Sequence, residues 1–140
     1  MTCLNNTGFR EYIFKKLSKV VRHDFDGIFM DNIQMGQIGI PSFDTPPFVF
    51  AGCACTHCNR MFRHVSGEAI PVDFSQNASL AQQYLDFRAN CTTSFIREAA
   101  QIVHKSKMQF GSNSFDPALD THTLLGTDIE EIANYQDYLL

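Results

Sequence analysis

The run Cys53-Ala54-Cys55-Thr56-His57-Cys58 places three thiols within six positions, and it restricts this chain more than any other feature. Two further cysteines, Cys3 and Cys91, stand far from it, for a total of five. An odd number with three crowded together makes a poor disulfide framework; in a reducing compartment such a cluster more often binds metal. Zinc takes four thiolate or nitrogen ligands in a tetrahedron. Cys53 and Cys55 read as extended and Cys58 as the first turn of a helix, where the helix N-terminus favours the thiolate a metal needs. No fourth cysteine lies nearby, which disfavours an iron–sulfur cluster. Thiols without metal are the alternative to the whole site. The fourth ligand stays open on the residues alone. Cys3 precedes a helix that would be adjacent in a βα barrel, His57 sits between two thiols, and His64 lies one to two turns further on. Cys91 falls on an apolar stripe, where a small core residue is the simpler reading.

Around the cluster, helical and strand patterns alternate. Asn5, Asn6 and Thr7 offer N-cap side chains, and Phe9, Ile13, Leu17, Val20 and Val21 repeat at helical spacing to about Arg22. Asp26-Gly27 reads as a turn into Ile28-Phe29-Met30, a short apolar run expected of a strand buried on both faces, with Asp31-Asn32 at its carboxyl end. Gln34 to Gly52 shows no period, and Gly36, Gly39, Pro41, Pro46 and Pro47 mark it as a long loop. A short helix carrying Met61, Phe62 and Val65 follows the cysteines, then an irregular link from Gly67 to Asn77. The clearest helix opens at Ser79 with Gln82 placed for a capping box. Its stripe runs through Leu80, Tyr84, Phe87, Cys91, Phe95, Ala99, Ile102 and Val103 to His104. Lys107 to Phe110 reads as a second strand ending in Gly111-Ser112-Asn113-Ser114. A box from Thr127 to Glu130 opens a helix with Ile129, Ile132 and Ala133, and Asp137 to Leu140 begins a third strand.

This order argues for βαβ units and a parallel sheet, which place functional groups at the carboxyl ends of strands. Asp31 holds that position, and Asn32 and Asn113 could hydrogen-bond sugar hydroxyls there. The plainer readings are a loop hydrogen bond for Asp31 and turn residues for both asparagines. Hydrolysis of a glycoside takes two carboxylates, and Asp31 is the one strong candidate in this chain. A length of 140 residues suits a single core. Eleven Lys and Arg against 15 Asp and Glu, with no basic stripe, speak against nucleic acid as a partner. No apolar run reaches the roughly 20 residues of a membrane span, and Met1 to Arg10 lacks a signal peptide's apolar stretch; a cytoplasmic protein is expected.

Cys3, Asn5, Phe9-Arg10-Glu11, the strand ending Asp31-Asn32, and the cysteine run with Phe62-Arg63 follow one order. That order resembles the zinc-containing β-galactosidases of glycoside hydrolase family 42 and related hypothetical TIM-barrel glycosidases. The resemblance covers about the first half of the chain. It implies Cys3, Cys53, Cys55 and Cys58 as ligands of a structural zinc. The family pattern continues Asp-Asn-Glu, with the Glu as general acid/base; here Ile33 follows Asn32. The resulting expectation is an α/β fold, a partial (β/α)8 TIM barrel of about three parallel strands with flanking helices. Residues 1–140 would be the central portion of one such domain, with closing strands beyond Leu140 and others before Met1. The expected function is hydrolysis of O-glycosyl bonds by the intact parent, with Asp31 catalytic and Asn32 and Asn113 binding substrate, the fragment alone being inactive. A non-catalytic carbohydrate-binding or scaffold barrel stabilised by zinc is the rival. Carbohydrate is the expected partner, and a homo-oligomer is compatible with either reading.

Overall fold

The computed structural model of the protein describes residues 3–35, 52–71, 77–113 and 120–139. Most of the expected long loop, including Gly36, Gly39, Pro41, Pro46 and Pro47, lies outside the described residues, as do residues 72–76, Ser114 and Leu140. The elements follow in the order α1 (Thr7–Val20), β1 (Gly27–Met30), α2 (Thr56–Ser66), α3 (Ala78–His104), β2 (Gln109–Ser112), α4 (Thr121–Leu125), α5 (Ile129–Ala133) and β3 (Tyr138–Leu139). The three strands form one parallel sheet in the order β1-β2-β3. The expected α/β class is present as this small sheet with flanking helices.

Helix α3 organises the molecule. Its 27 residues span about 40 Å at the α-helical rise, and it packs against α1, α2, β2, α4 and α5. The expected stripe is its buried face, from Leu80 through Tyr84, Phe87, Cys91, Phe95 and Ala99 to Val103, with Ile102 half-buried against the core. On α1 the ring of Phe14 packs on Phe95 with centroids 4.9 Å apart, and Leu17 is buried. Val20, expected on that face, is instead 40% exposed, because α1 ends there and its cap, Val21, turns the chain away.

Local capping follows the sequence expectation at α1, where Asn6 is one of the expected caps, and differs from it at α3 and α5. Asn6 caps α1, accepting from the Phe9 N–H at 2.9 Å, which frees Asn5 to turn inward. Asn77 caps α3, accepting from the Leu80 N–H at 2.9 Å, so the Ser79–Gln82 box does not form and Gln82 bonds Asp86 instead. Asp128 caps α5 by accepting from the Glu131 N–H at 3.0 Å, and Thr127 is buried with its carbonyl accepting from the Thr121 hydroxyl. At α3 and α5 an Asn or Asp one or two residues away supplies a better acceptor than the expected hydroxyl. The short α4 has no counterpart in the sequence reading; Asp120 caps its start and Gly126, at φ 63°, closes its end.

Strand β2 begins two residues later than expected because Lys107 takes φ 60° in the turn after α3. Ile28 pairs with Phe110, Phe29 with Gly111 and Met30 with Ser112, and Gly111 in turn pairs with Tyr138. Phe110 is fully buried, whereas Phe29 is 43% exposed, so β1 is not buried on both faces. Strand residues alternate between faces, so Phe29, Gly111 and Tyr138 share one side, where the rings of Phe29 and Tyr138 lie 6.4 Å apart and nearly parallel. Gly111 permits this: a Cβ there would overlap the Tyr138 ring and lie 2.7 Å from the Tyr138 carbonyl oxygen. The start of β3 is fastened by Asp137, whose carboxylate accepts from the Phe110 N–H at 2.8 Å and contacts the His104 ring at 2.9 Å. These bonds, the backbone N–H first, hold the Asp137 carboxyl below its ordinary range.

Among the described residues, one charged side chain is wholly inside. Arg88 on α3 is 0% exposed; its Nε donates to the Met35 carbonyl at 2.8 Å and Nη1 to the Thr123 carbonyl at 3.2 Å. It thereby joins the segment after β1 to α4 and supplies a partner to the carbonyl of the buried Met35. Gly111→Val should lower unfolding stability by about 1–3 kcal/mol through overpacking between strands, seen as a reduced urea midpoint. An unchanged midpoint would mean that the sheet tolerates separation of the two rings.

Candidate metal centre

The four sulfurs of Cys3, Cys53, Cys55 and Cys58 lie within 4.8 Å of one another. Cys3 precedes α1, Cys53 and Cys55 lie in the extended segment leading to α2, and Cys58 is buried in the first turn of α2. Cys3 Sγ is 3.4 Å from both Cys58 Sγ and Cys55 Sγ. A tetrahedron of 2.3 Å metal–sulfur bonds sets its sulfurs about 3.8 Å apart, so only small adjustments separate this arrangement from a four-thiolate metal site. All five cysteines are free thiols. The geometry therefore brings together the ligand set that the family resemblance implies, and this set could hold a metal ion.

The thiols are electrostatically unequal. Burial pushes the Cys3 thiol up to about 11 and raises Cys58 further still. At Cys55 burial also raises the pKa, but the Cys58 backbone N–H and the neighbouring thiols outweigh it and lower the value to about 7. A divalent cation reverses the cost of charging such a group, because binding replaces the proton on each sulfur. Metal uptake accordingly releases protons and strengthens as pH rises.

Asn5 is the supporting residue that sequence reasoning missed. Its backbone N–H donates to Cys3 Sγ at 3.3 Å, and its side-chain Nδ2 donates to Cys58 Sγ at 3.3 Å and to Cys91 Sγ at 3.0 Å. N–H donors of this kind spread thiolate charge and orient the ligands. The signal lay in the spacing: a residue two positions after a ligand can fold its N–H back onto that ligand, as in an Asx turn. Cys91 stays outside the four-sulfur group as a buried core residue of α3. His57 is not a fourth ligand; its Nε2 lies 3.1 Å from Asn6 Nδ2. His64 is exposed on α2.

A second group of sequence candidates meets at the ends of β1 and β2. Asp31 Oδ1 accepts from Asn113 Nδ2 at 2.5 Å, and Oδ2 accepts from Asn32 Nδ2 at 2.9 Å. The Asn32 backbone N–H donates to Asn113 Oδ1 at 2.9 Å, with Asn32 at φ 56°. The three side chains close a ring that ties the two strand ends. Asp31 and Asn32 are exposed, while Ile33 turns inward and is buried.

No protein-family model matches the chain, and no curated protein matches it significantly. No helix among the described residues is long and apolar enough to cross a membrane.

Asn5→Ala should weaken metal affinity by about 10–100-fold, as loss of an outer-shell partner does, measured by competition with a chromophoric chelator. Cys3→Ser should reduce bound metal below stoichiometric levels, while His57→Ala should leave it unchanged. Full metal content in Cys3→Ser would remove Cys3 from the ligand set.

Proposed function

We propose that the chain is part of a glycoside-hydrolase-like (β/α)8 barrel that acts on carbohydrate, with a structural zinc bound by Cys3, Cys53, Cys55 and Cys58. Four thiolates without an open position suit structural zinc, which is four-coordinate and closed. Zinc in this site joins the start of α1 to the start of α2 and carries no step of the chemistry. The observation that supports carbohydrate action is the meeting of Asp31, Asn32 and Asn113 at the carboxyl ends of adjacent parallel strands. Barrel enzymes build their sites from such strand ends. Strands running β1-β2-β3 in chain order, all parallel, fit one arc of a barrel.

In this reading Asp31 is the reactive carboxylate and the asparagine amides hold it and orient a sugar ring beside it. A specific observation favours a second reading. Both Asp31 oxygens already accept from the two asparagines, and Ile33 stands buried where the family pattern places an acid. A carboxylate so engaged serves well as a clamp in a carbohydrate-binding or scaffold barrel.

The test is turnover of a panel of aryl glycosides by the zinc-loaded intact protein. Asp31→Asn should lower kcat by about 10²–10⁴-fold, the contribution of a positioned acid or base, with zinc content unchanged and the melting temperature lowered modestly because one of the two Asp31 acceptors is lost. Normal turnover in that variant would remove Asp31 from catalysis. Saturable glycan binding without any hydrolysis by the wild type would establish the scaffold reading.

A further inference from the structure

Helix α2 presents an apolar and basic face that the metal centre does not use. Met61 and Val65 are 41% and 66% exposed, although their spacing marks them as core residues. They line an open groove of about 800 Å³ between α2 and α3, together with Phe87 of α3. That volume lies within the range of small-molecule sites. Arg60 and Arg63 also line it, one helical turn apart on the same side of α2. Neither forms an ion pair or hydrogen bond with the described residues. The other charges lining the groove are Arg10, which pairs with Glu98 at 2.6 Å, and Asp86, which accepts from Gln82 at 2.9 Å and lies 3.5 Å from the His122 ring. In a chain of net charge −4, two guanidinium groups without a partner among the described residues, flanking apolar surface, outnumber the one carboxylate, Asp86, that lines the groove.

We propose that this groove binds a small organic anion, with its phosphate or carboxylate held by Arg60 and Arg63 and its apolar body lying on Met61, Val65 and Phe87. Guanidinium pairs match the planar, multiple acceptors of such groups better than a point charge does. The apolar body distinguishes this ligand from free phosphate, and the charged end distinguishes it from a neutral aromatic. The site shares no residue with the Asp31 cluster and does not depend on the glycosidase reading.

The test is calorimetric titration of the metal-loaded full chain with phenyl phosphate, benzoate, inorganic phosphate and phenol. Phenyl phosphate or benzoate should bind saturably at one site, and the tighter of the two identifies the anionic group. Inorganic phosphate and phenol should each bind at least about tenfold more weakly, since each lacks one half of the recognition. The double variant Arg60→Gln/Arg63→Gln, both positions being exposed, should fold normally and weaken binding by about tenfold or more, as loss of charge-assisted bonds does. Asp31→Asn should bind as the wild type does. No saturable binding by either anion, equal affinity for phenol, or unchanged affinity in the double variant would each overturn the proposal.

Discussion

An 11-residue helix with only Cys58 and Phe62 fully buried has little reason to hold a fixed place, because helices of that length are marginal by themselves in water. Helix α2 is fixed at two points. Its first turn belongs to the cluster of thiols, which reaches across to Cys3 before α1. Its middle is wedged by Phe62, whose ring meets Tyr84 and Phe87 edge-on with centroids 5.6 and 5.4 Å away. The thiol cluster thus spans 55 residues of sequence between Cys3 and Cys58, and closing so long a loop is a constraint that apolar contacts alone secure poorly. Asn5 extends the same tie to α3 through Cys91. The starts of two helices and the middle of a third therefore converge on one small region.

The sheet depends on that convergence at one remove. Helix α3 carries the core stripe into contact with Phe110 of β2, and β2 aligns both of its neighbours. Where β1 and β2 end, hydrogen bonding passes from backbone to side chains, and the Asp31, Asn32 and Asn113 ring continues the pairing beyond the ladder. That ring gives the strand ends a defined shape.

Legibility in the sequence followed the length of the pattern. The stripe of α3 repeats over 27 residues and was readable nearly residue by residue, since periodic apolar spacing accumulates signal. The thiol run was equally plain, because few roles suit three closely spaced cysteines. Helix α4 spans five residues, too few for a period, although Asp120 and Gly126 bracket it with ordinary stop and start chemistry. Capping boxes misplaced two helix starts because a nearby Asn or Asp competes for the same N–H. Arg88 and Asn5 were illegible for a different reason. A polar residue is buried when distant groups complete its bonds, and Met35, Thr123 and Cys58 are far away in sequence. Met61 and Val65 fit a core pattern yet face a groove, which periodicity alone does not distinguish.

The attachment of β3 carries a consequence for how the molecule comes apart. Asp137 is the staple between this two-residue strand and β2, and its carboxyl is held below the ordinary range by the Phe110 N–H and by His104. A depressed carboxyl contributes stability above its ordinary pKa and loses it as pH falls through the depressed value. Acidification therefore removes a tie at this seam, where a two-residue strand relies on an exposed carboxylate, whereas the apolar packing of α3 carries no such proton dependence.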